Sequence, residues 1–147
     1  MNLFKKNPII GIVIAFVMIG AIFLMRSAGD KMNAETTVAN GQKFYKAGNY
    51  NEAIKYFDNA LNMDSTNYAG YFSRGLCYKA QNKFKRALAD YNNAIRLSRE
   101  SDKKTLYYTR GEIKSHLDLV DGACKDMKEA SKRGDDRAAQ YLNLFCE

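Results

Sequence analysis

The distribution of apolar residues divides the chain into two unequal parts. Residues 9–25, IIGIVIAFVMIGAIFLM, contain no charged residue and no Asn, Gln, Ser or Thr. Beyond this run the chain is polar, and its apolar residues recur at helical spacing. Ala87, Tyr91, Ala94 and Ile95, for example, follow the i, i+4, i+7, i+8 pattern that is typical of one face of an amphipathic helix. The pattern therefore predicts one apolar helix followed by an all-α domain.

The apolar run has the length and composition of a membrane span. At ~1.5 Å per residue its 17 residues cover roughly 25 Å as a helix, close to the ~30 Å hydrocarbon core of a bilayer. Pro8 suits the first turn of such a helix, where its missing N–H costs nothing. Secretory signals have shorter apolar regions and end in a small-residue cleavage site, whereas Arg26 follows this run directly. The pattern favours a retained anchor over a cleaved signal.

The flanking charges predict the orientation of this anchor. Lys5, Lys6 and the amino terminus outweigh the mixed charges that follow the run, so residues 1–26 are expected to comprise a cytoplasmic N-terminus and a single transmembrane helix. We therefore expect a single-pass protein of the inner (cytoplasmic) membrane whose remaining residues lie on the periplasmic, extracytoplasmic side. Residues 27–34, SAGDKMNA, are small and polar without helical periodicity and are interpreted as a linker.

The remainder, residues 34–147, contains an internal repeat. Three units occupy residues 34–67, 68–101 and 104–137, the third after an insertion of two residues. Each unit has a glycine at the same place, an alanine twelve positions later and another alanine seven positions after that. These residues are Gly41, Ala53 and Ala60, then Gly75, Ala87 and Ala94, and finally Gly111, Ala123 and Ala130. Glycine inside a helix costs about 1 kcal/mol against alanine, so its recurrence indicates a close crossing of two helices in every unit.

The end of the chain predicts a seventh helix. In residues 136–145, Ala138, Leu142 and Phe145 share one helical face. A stack of repeats leaves an apolar face open at its end, and a capping helix is the usual way to cover it. We expect residues 136–145 to be that cap.

This layout resembles the tetratricopeptide repeat (TPR) family. Besides the small residues, the first unit has Phe44 and Phe57 at signature aromatic positions, and the second has Tyr71, Tyr78 and Tyr91. The third unit is more divergent, and the proline that commonly ends a unit is absent. The resemblance implies an α-solenoid of three helix pairs plus the cap.

The resemblance also implies a function in protein binding. In this family the first helices of the units line a concave surface that binds peptides or partner proteins. Carried over to this chain, the lining residues are Val38, Gln42, Tyr45, Lys46, Phe72, Leu76, Lys79, Tyr108, Glu112 and His116. The chaperone-binding members hold a C-terminal carboxylate with Lys, Arg and Asn side chains. Val38, Gln42, Ser73, Thr105 and Thr109 occupy the corresponding positions here, so that clamp is not expected.

The charge and the residue types argue against nucleic-acid binding, metal binding and catalysis. The net charge is +7, of which the basic residues flanking the apolar run supply +3, so the excess over the repeats is small and nucleic-acid binding is not expected. His116 is the only histidine, and it has no cluster of further ligands, so no metal site is predicted. No phosphate-binding loop, nucleophile motif or carboxylate pair is recognisable. We expect neither enzyme activity nor a cofactor.

The cysteines leave two alternatives open. Cys77 lies among apolar residues and fits a small buried side chain. If the chain reverses near Gly134, Cys124 and Cys146 lie at about the same height of an antiparallel helix pair, which permits a disulfide in an oxidising compartment. In a reducing compartment they remain two thiols.

Together these features predict a membrane-anchored TPR adaptor, or scaffold, of the bacterial cell envelope. It is expected to bind a partner protein, a membrane complex or an extended peptide segment through its concave surface. The alternative is a receptor-like TPR protein of an organelle membrane with its repeats in the cytosol, which free cysteines would favour.

Overall fold

The fold consists of seven consecutive α-helices. The computed structural model describes residues 8–146, with side chains from residue 12 onward. The helices are α1 (Pro8–Lys46), α2 (Tyr50–Met63), α3 (Tyr68–Ala80), α4 (Phe84–Leu97), α5 (Lys103–His116), α6 (Val120–Lys132) and α7 (Asp136–Phe145). A short 3-10 turn, Glu100–Asp102, precedes α5 where the sequence has its two-residue insertion. No strand occurs among the described residues, which confirms the all-α prediction.

The segment that the sequence predicts to be a linker is part of the first helix. Residues 27–34 are helical and belong to α1, which runs for 39 residues without a break. This segment contains no proline and a single glycine, and Ala, Lys and Met are strong helix formers, so local propensity sustains the helix. The Thr36 and Thr37 hydroxyls donate hydrogen bonds to the carbonyl oxygens of Met32 and Asn33, one turn earlier in the helix. The polar composition of the segment therefore marks an exposed helix, not a loop.

The N-terminal part of α1 is apolar and uncovered. Judged by length and composition only, α1 can cross a membrane: an 18-residue window has a mean hydropathy of 2.2, and none of that window is buried in the protein. From Ala34 onward, by contrast, the helix packs into the solenoid, and Ala34 and Val38 belong to the first core cluster. Lys5 and Lys6, on which the predicted orientation depends, lie outside the described residues.

Within each helix pair the repeated glycine faces a large buried side chain. A Cβ atom at these glycines would come 2.6–2.9 Å from an atom of the second helix, closer than real contacts allow. The pairs are Gly41 with Phe57, Gly75 with Tyr91, and Gly111 with Met127. The alanines of the repeat are fully buried in the same interfaces. Small residues thus let the two backbones approach while one large side chain fills the gap beside them.

The turns inside the three pairs and the turn before α7 each contain one residue of positive φ. Gly48, Asn82, Asp118 and Gly134 have φ values between 56° and 81°, and each lies just after a helix end. Glycine adopts this left-handed region freely, and Asn and Asp tolerate it better than other residues. Between units, the Asn67 side chain accepts a hydrogen bond from the Gly70 N–H and caps α3. The sequence of these turns makes α1 to α7 an alternating antiparallel stack.

The last helix covers the open end of the stack, as predicted. Ala138 of α7 is fully buried against Met127 and Ala130 of α6. The Asp135 carboxylate begins α7 by accepting hydrogen bonds from the N–H groups of Arg137 and Ala138.

Candidate protein-binding surface

The first helices of the three units and the cap lie side by side along one surface. Polar contacts join each of them to the next: Gln42 Nε2 lies 3.5 Å from Ser73 Oγ, Lys79 Nζ lies 2.8 Å from Glu112 Oε2, and Tyr141 Oη lies 2.9 Å from Ser115 Oγ. The order along the surface is therefore α1, α3, α5, α7. We use the term concave surface for the side chains that these four helices expose on this side.

The structure gives the predicted lining residues unequal accessibility. Gln42 and Lys46 are exposed, whereas Val38 is only 5% exposed and belongs to the first core cluster. Val38 therefore forms the floor beneath the surface and offers a partner little area. His116 is also exposed. The other six predicted lining residues are half-buried. They are Tyr45, Phe72, Leu76, Lys79, Tyr108 and Glu112.

The three aromatic residues have different surroundings. The Tyr45 ring packs against Tyr50 with a centroid distance of 5.6 Å, and Phe72 packs against the fully buried Tyr91 at 5.9 Å. Both therefore support the helix packing as well as the surface. Tyr108 instead lies beneath the exposed Arg137, whose guanidinium carbon is 4.0 Å from the ring centroid, a cation–π contact between α5 and α7. Tyr108 also packs against the core cluster of Met127, Ala130 and Ala138, so it joins the cap to the third unit as well as lining the surface.

His116 lies at the edge of this surface. Its ring stacks on Phe84 of α4 with a centroid distance of 4.5 Å and an interplanar angle of 1°. Among the residues from 8 to 146, no group of three or more His, Cys, Asp or Glu side chains is placed to hold a metal ion. The histidine is thus part of a helix contact between α4 and α5.

Charges on the concave surface largely neutralise each other. Lys79 and Glu112 form an ion pair in which each side chain is 31% exposed. Lys46 is exposed at the end of α1, and Arg137 is held by the carboxylate of Asp135 at 2.7 Å. That pairing lowers the pKa of Asp135, mainly because the guanidinium donates to the carboxylate. The surface therefore has a mixed, nearly balanced charge.

A cleft opens where the concave surface meets the turn between α2 and α3. It has a volume of about 440 Å³ and lies between the start of α3, the end of α4 and the repeat portion of α1. Glu35, Gln42, Tyr68 and Arg99 contribute its polar lining. The sequence did not single out Glu35, Tyr68 or Arg99, because the cleft exists only when α4 ends beside α1 and α3.

Two arginines that the sequence analysis missed bind the repeats together. Arg74 donates from Nε and Nη2 to Asp90 at 2.9 and 2.6 Å, and from Nη1 to Asp58 at 2.6 Å. The hydrogen bond to Asp90 is the main reason that the pKa of Arg74 is raised. Bidentate pairs of this kind are the strong form of ion pair.

The third unit repeats this arrangement. Arg110 donates to Asp126 at 2.7 and 2.6 Å and to the Asn92 side chain at 2.9 Å. A signal was present in the sequence: each arginine directly precedes a repeat glycine, and each aspartate follows 16 positions later. Because Asp90 and Asp126 are only 3% exposed, the pairs hold the helices together and do not face a partner.

The cysteines occupy two environments. The sulfurs of Cys124 and Cys146 are bonded, with a Cα–Cα distance of 5.8 Å, so a disulfide joins the first half of α6 to the end of α7. Cys77 is fully buried, and burial raises its pKa to about 11. Its thiol is therefore protonated at neutral pH and suited to packing rather than to chemistry.

This architecture, an α-solenoid of antiparallel helix pairs with a terminal cap, is matched by known proteins. Two models of the tetratricopeptide repeat match residues 43–67 and 68–101. Human DnaJ homolog subfamily C member 7 is 30% identical over 105 residues, which cover 68% of this chain and 20% of that protein. RNA polymerase II-associated protein 3 of Rattus norvegicus is 33% identical over 97 residues, 66% of this chain and 14% of that protein.

The structural comparison agrees. The first TPR of Spaghetti (RPAP3) bound to an HSP90 peptide superposes with a TM-score of 0.72 and 26% identity, over 78% of this chain and 91% of that one. The chain belongs to the tetratricopeptide repeat family and contains a TPR protein–protein interaction domain. It spans a fifth or less of the length of the two curated relatives described above.

Proposed function

We propose that this protein is a membrane-anchored adaptor of the bacterial cell envelope that binds a partner protein through the concave surface of its TPR domain. The N-terminus lies in the cytoplasm, residues 9–25 span the inner membrane, and the repeats lie on the periplasmic side. The partner presents an extended segment, alone or as part of a membrane complex.

The observation that carries this proposal is the continuity of α1. One helix joins an uncovered apolar segment to the first repeat, so the same element that exposes Phe16 and Phe23 to its surroundings buries Ala34 in the solenoid. Exposing so many apolar side chains to water is unfavourable, at about 25 cal/mol per Å² of apolar surface. A bilayer removes that cost and leaves the polar part of the chain in water.

The disulfide supports the extracytoplasmic side. Disulfides persist in oxidising compartments such as the periplasm and are rare where thiols are kept reduced. Cys124 and Cys146 are bonded in the structure, and the third cysteine is buried and cannot exchange with them without unfolding. For the alternative, an organelle-membrane receptor with cytosolic repeats, the same pair is expected to remain as thiols.

The concave surface favours an extended segment of mixed character over a strongly acidic tail. Solved TPR neighbours are described as bound to HSP90 and HSP70 peptides. Here the positions expected to clamp a terminal carboxylate include the buried Val38 and Thr109, and the Lys79 ammonium is already paired with Glu112. We therefore expect partner recognition to depend on Tyr108, Lys46 and the cleft beside Tyr68.

A crosslinking experiment in intact bacterial membranes tests the proposal. A photoactivatable amino acid is introduced in place of Gln42 or Lys46, and a matched control carries it in place of Lys125, which is exposed on α6. The two concave positions are expected to give the same defined adduct, and Tyr108→Ala is expected to reduce it without loss of helicity. Equal adducts from position 125, or an adduct insensitive to Tyr108→Ala, would exclude the concave surface as the binding site.

The orientation is tested separately. A reporter enzyme that is active only outside the cytoplasm, fused after residue 147, is expected to be active, and thiol counting of the unreduced, denatured protein is expected to find one free cysteine. An inactive reporter together with three free thiols would support the cytosolic alternative.

A further inference from the structure

The continuity of α1 also constrains how the repeats are oriented relative to the apolar segment. The helix is unbroken from Pro8 to Lys46. From Ala34 onward its side chains become buried, because the solenoid packs against it. A flexible linker would let the repeats rotate freely. A continuous helix instead fixes their distance from the apolar segment and their rotation about the helix axis. The repeats therefore have one preferred orientation relative to the apolar segment.

The alternation of the helices gives the solenoid two distinct ends. Three turns share the end from which the apolar part of α1 emerges, and we call it the proximal end. It comprises residues 64–67, 98–102 and 133–135. The opposite, distal end comprises the turns at residues 47–49, 81–83 and 117–119. A helix of 13 residues, such as α3, separates the two ends by about 20 Å.

The proximal end lies close to the apolar segment. Ala34 lies nine positions after Met25, the last residue of the apolar run, which corresponds to a rise of about 13 Å. The turn after α2 closes part of this gap, because Met63 and Asp64 line the same cleft as Arg26 and Phe23. The headgroup region adds roughly 5–7 Å to each side of the hydrocarbon core. The turn thus reaches the depth at which headgroups lie.

The side chains at this junction suit an interface between lipid and water. Met63 and Met32, two apolar residues near this junction, are 47% and 67% exposed. The exposed basic side chains of Arg26 and Lys31 line the same cleft as Met63, which also includes Asp30 and Asp64. Apolar groups flanked by long basic side chains are characteristic of segments that rest in the headgroup layer.

We propose that the proximal end of the solenoid rests against the lipid headgroups and that the distal end points away from the membrane. This orientation rests on the proposed membrane anchor. As α1, α3, α5 and α7 stand side by side, the concave surface then extends along the membrane plane. A partner segment is met beside the bilayer, at a height set by α1.

The test measures the distance of each end from the lipid. A fluorescent label is attached through Ser65→Cys at the proximal end or Lys83→Cys at the distal end, both exposed turn positions. Cys77 is buried and stays unlabelled in the folded protein. The full chain is reconstituted into phosphatidylcholine–phosphatidylglycerol vesicles with a small fraction of headgroup-spin-labelled lipid. We expect strong quenching of the label at position 65 and little at position 83; equal quenching would overturn the orientation.

An insertion tests whether the helix is the cause. Seven helix-forming residues inserted after Gly29 raise the repeats by about 10 Å with almost no rotation, so quenching at position 65 is expected to fall. Seven Gly and Ser residues at the same place are expected to make the two positions equal. A difference that survives the flexible insertion would mean that α1 does not set the orientation.

A flotation measurement separates the two proposals. If the protein does not float with the vesicles, the anchor itself is absent and the orientation falls with it. If the protein floats but the two positions are quenched equally, the anchor stands and only the orientation is wrong.

Discussion

The disulfide between α6 and α7 allows a quantitative prediction about the stability of the cap. The bond joins residues 22 positions apart. In the chain-entropy model, closing a loop of that length removes about 11 cal/mol/K from the unfolded ensemble, or about 3 kcal/mol at 25 °C. Reducing the bond, or replacing Cys124 and Cys146 with serine, is therefore expected to lower the free energy of unfolding by roughly that amount.

The loss is expected to begin at α7. Apart from the disulfide, this helix is held by the burial of Ala138, the Asp135 cap, the hydrogen bond from Tyr141 to Ser115 and the cation–π contact of Arg137 with Tyr108. Terminal elements of repeat proteins contact a neighbour on one side only, so they detach before the rest. The exposed residues beside the bond, Leu144 and Phe145, then contribute little to keeping the helix in place.

Thermal unfolding followed by circular dichroism measures the effect. With about 2–4 °C per kcal/mol for a chain of this size, reduction is expected to lower Tm by about 6–12 °C. The double serine variant is expected to show the same lower Tm and no response to reductant, which controls for other effects of the reagent. Hydrogen exchange is expected to rise first in residues 136–145. An oxidised and a reduced protein of equal Tm would refute the reasoning that the bond secures the cap.

Three further predictions concern packing and charge. Gly75→Ala is expected to cost about 1–3 kcal/mol in denaturant unfolding, because its Cβ would lie 2.8 Å from the buried Tyr91 ring. Gly29→Ala, with nothing within 4 Å, is the control and is expected to be neutral or slightly stabilising; similar losses at both positions would argue against the close crossing. Tyr91→Phe is expected to stabilise by about 1 kcal/mol, because the buried hydroxyl has no hydrogen-bond partner among the described residues; a clear loss of stability would contradict this. Asp135→Ala is expected to cost about 1 kcal/mol at neutral pH through the lost helix cap, and Asp135→Asn less. Because pairing lowers the folded-state pKa of Asp135, its charge stabilises above pH ~4 and is lost as the pH falls through the folded pKa, so both variants should flatten the acid limb of a stability–pH curve.

Most of the fold could be predicted from the sequence because the contacts that determine it are local in sequence. Each helix packs mainly on the helix before it and the helix after it, so spacing within one unit determines which small residue meets which large one. Gly75 and Tyr91, for instance, are separated by only 16 positions and occupy equivalent places in a repeating pattern. The cap followed from the same logic, because an open apolar face at Met127 and Ala130 requires a cover.

The linker was misread for an equally physical reason. Residues 27–33 lack an apolar stripe because almost all of them are exposed on α1. Periodicity reports burial, whereas helix formation depends on backbone propensity and on the helices at both ends of a segment. A stretch that is helical but unpacked therefore gives no periodic signal.

The candidate binding surface could be predicted from the sequence only in part. Which first helices contribute follows from the repeat, but accessibility depends on contacts between units. The cation–π contact of Arg137 with Tyr108, the pairing of Lys79 with Glu112 and the burial of Val38 all arise from the register of one unit against the next. The Arg74–Asp90 arrangement, in contrast, recurs at fixed spacing and was present in the sequence as a pattern.

The contacts across the concave surface bear on how tightly a partner binds. Lys79–Glu112 is a half-exposed pair, which contributes at most about 1 kcal/mol, so a partner can displace it at little cost. The hydrogen bond between Gln42 and Ser73 is long, at 3.5 Å, and is displaced as easily. A surface of three repeats with balanced charge offers few strong anchors beyond Tyr108, so its intrinsic affinity is expected to be modest. Confinement of both partners to one membrane raises their effective concentration without any new contact. If α1 anchors the protein in a membrane as proposed, a small surface of balanced charge is sufficient for an adaptor whose partner shares that membrane. The same domain released from its anchor is then expected to bind that partner measurably more weakly.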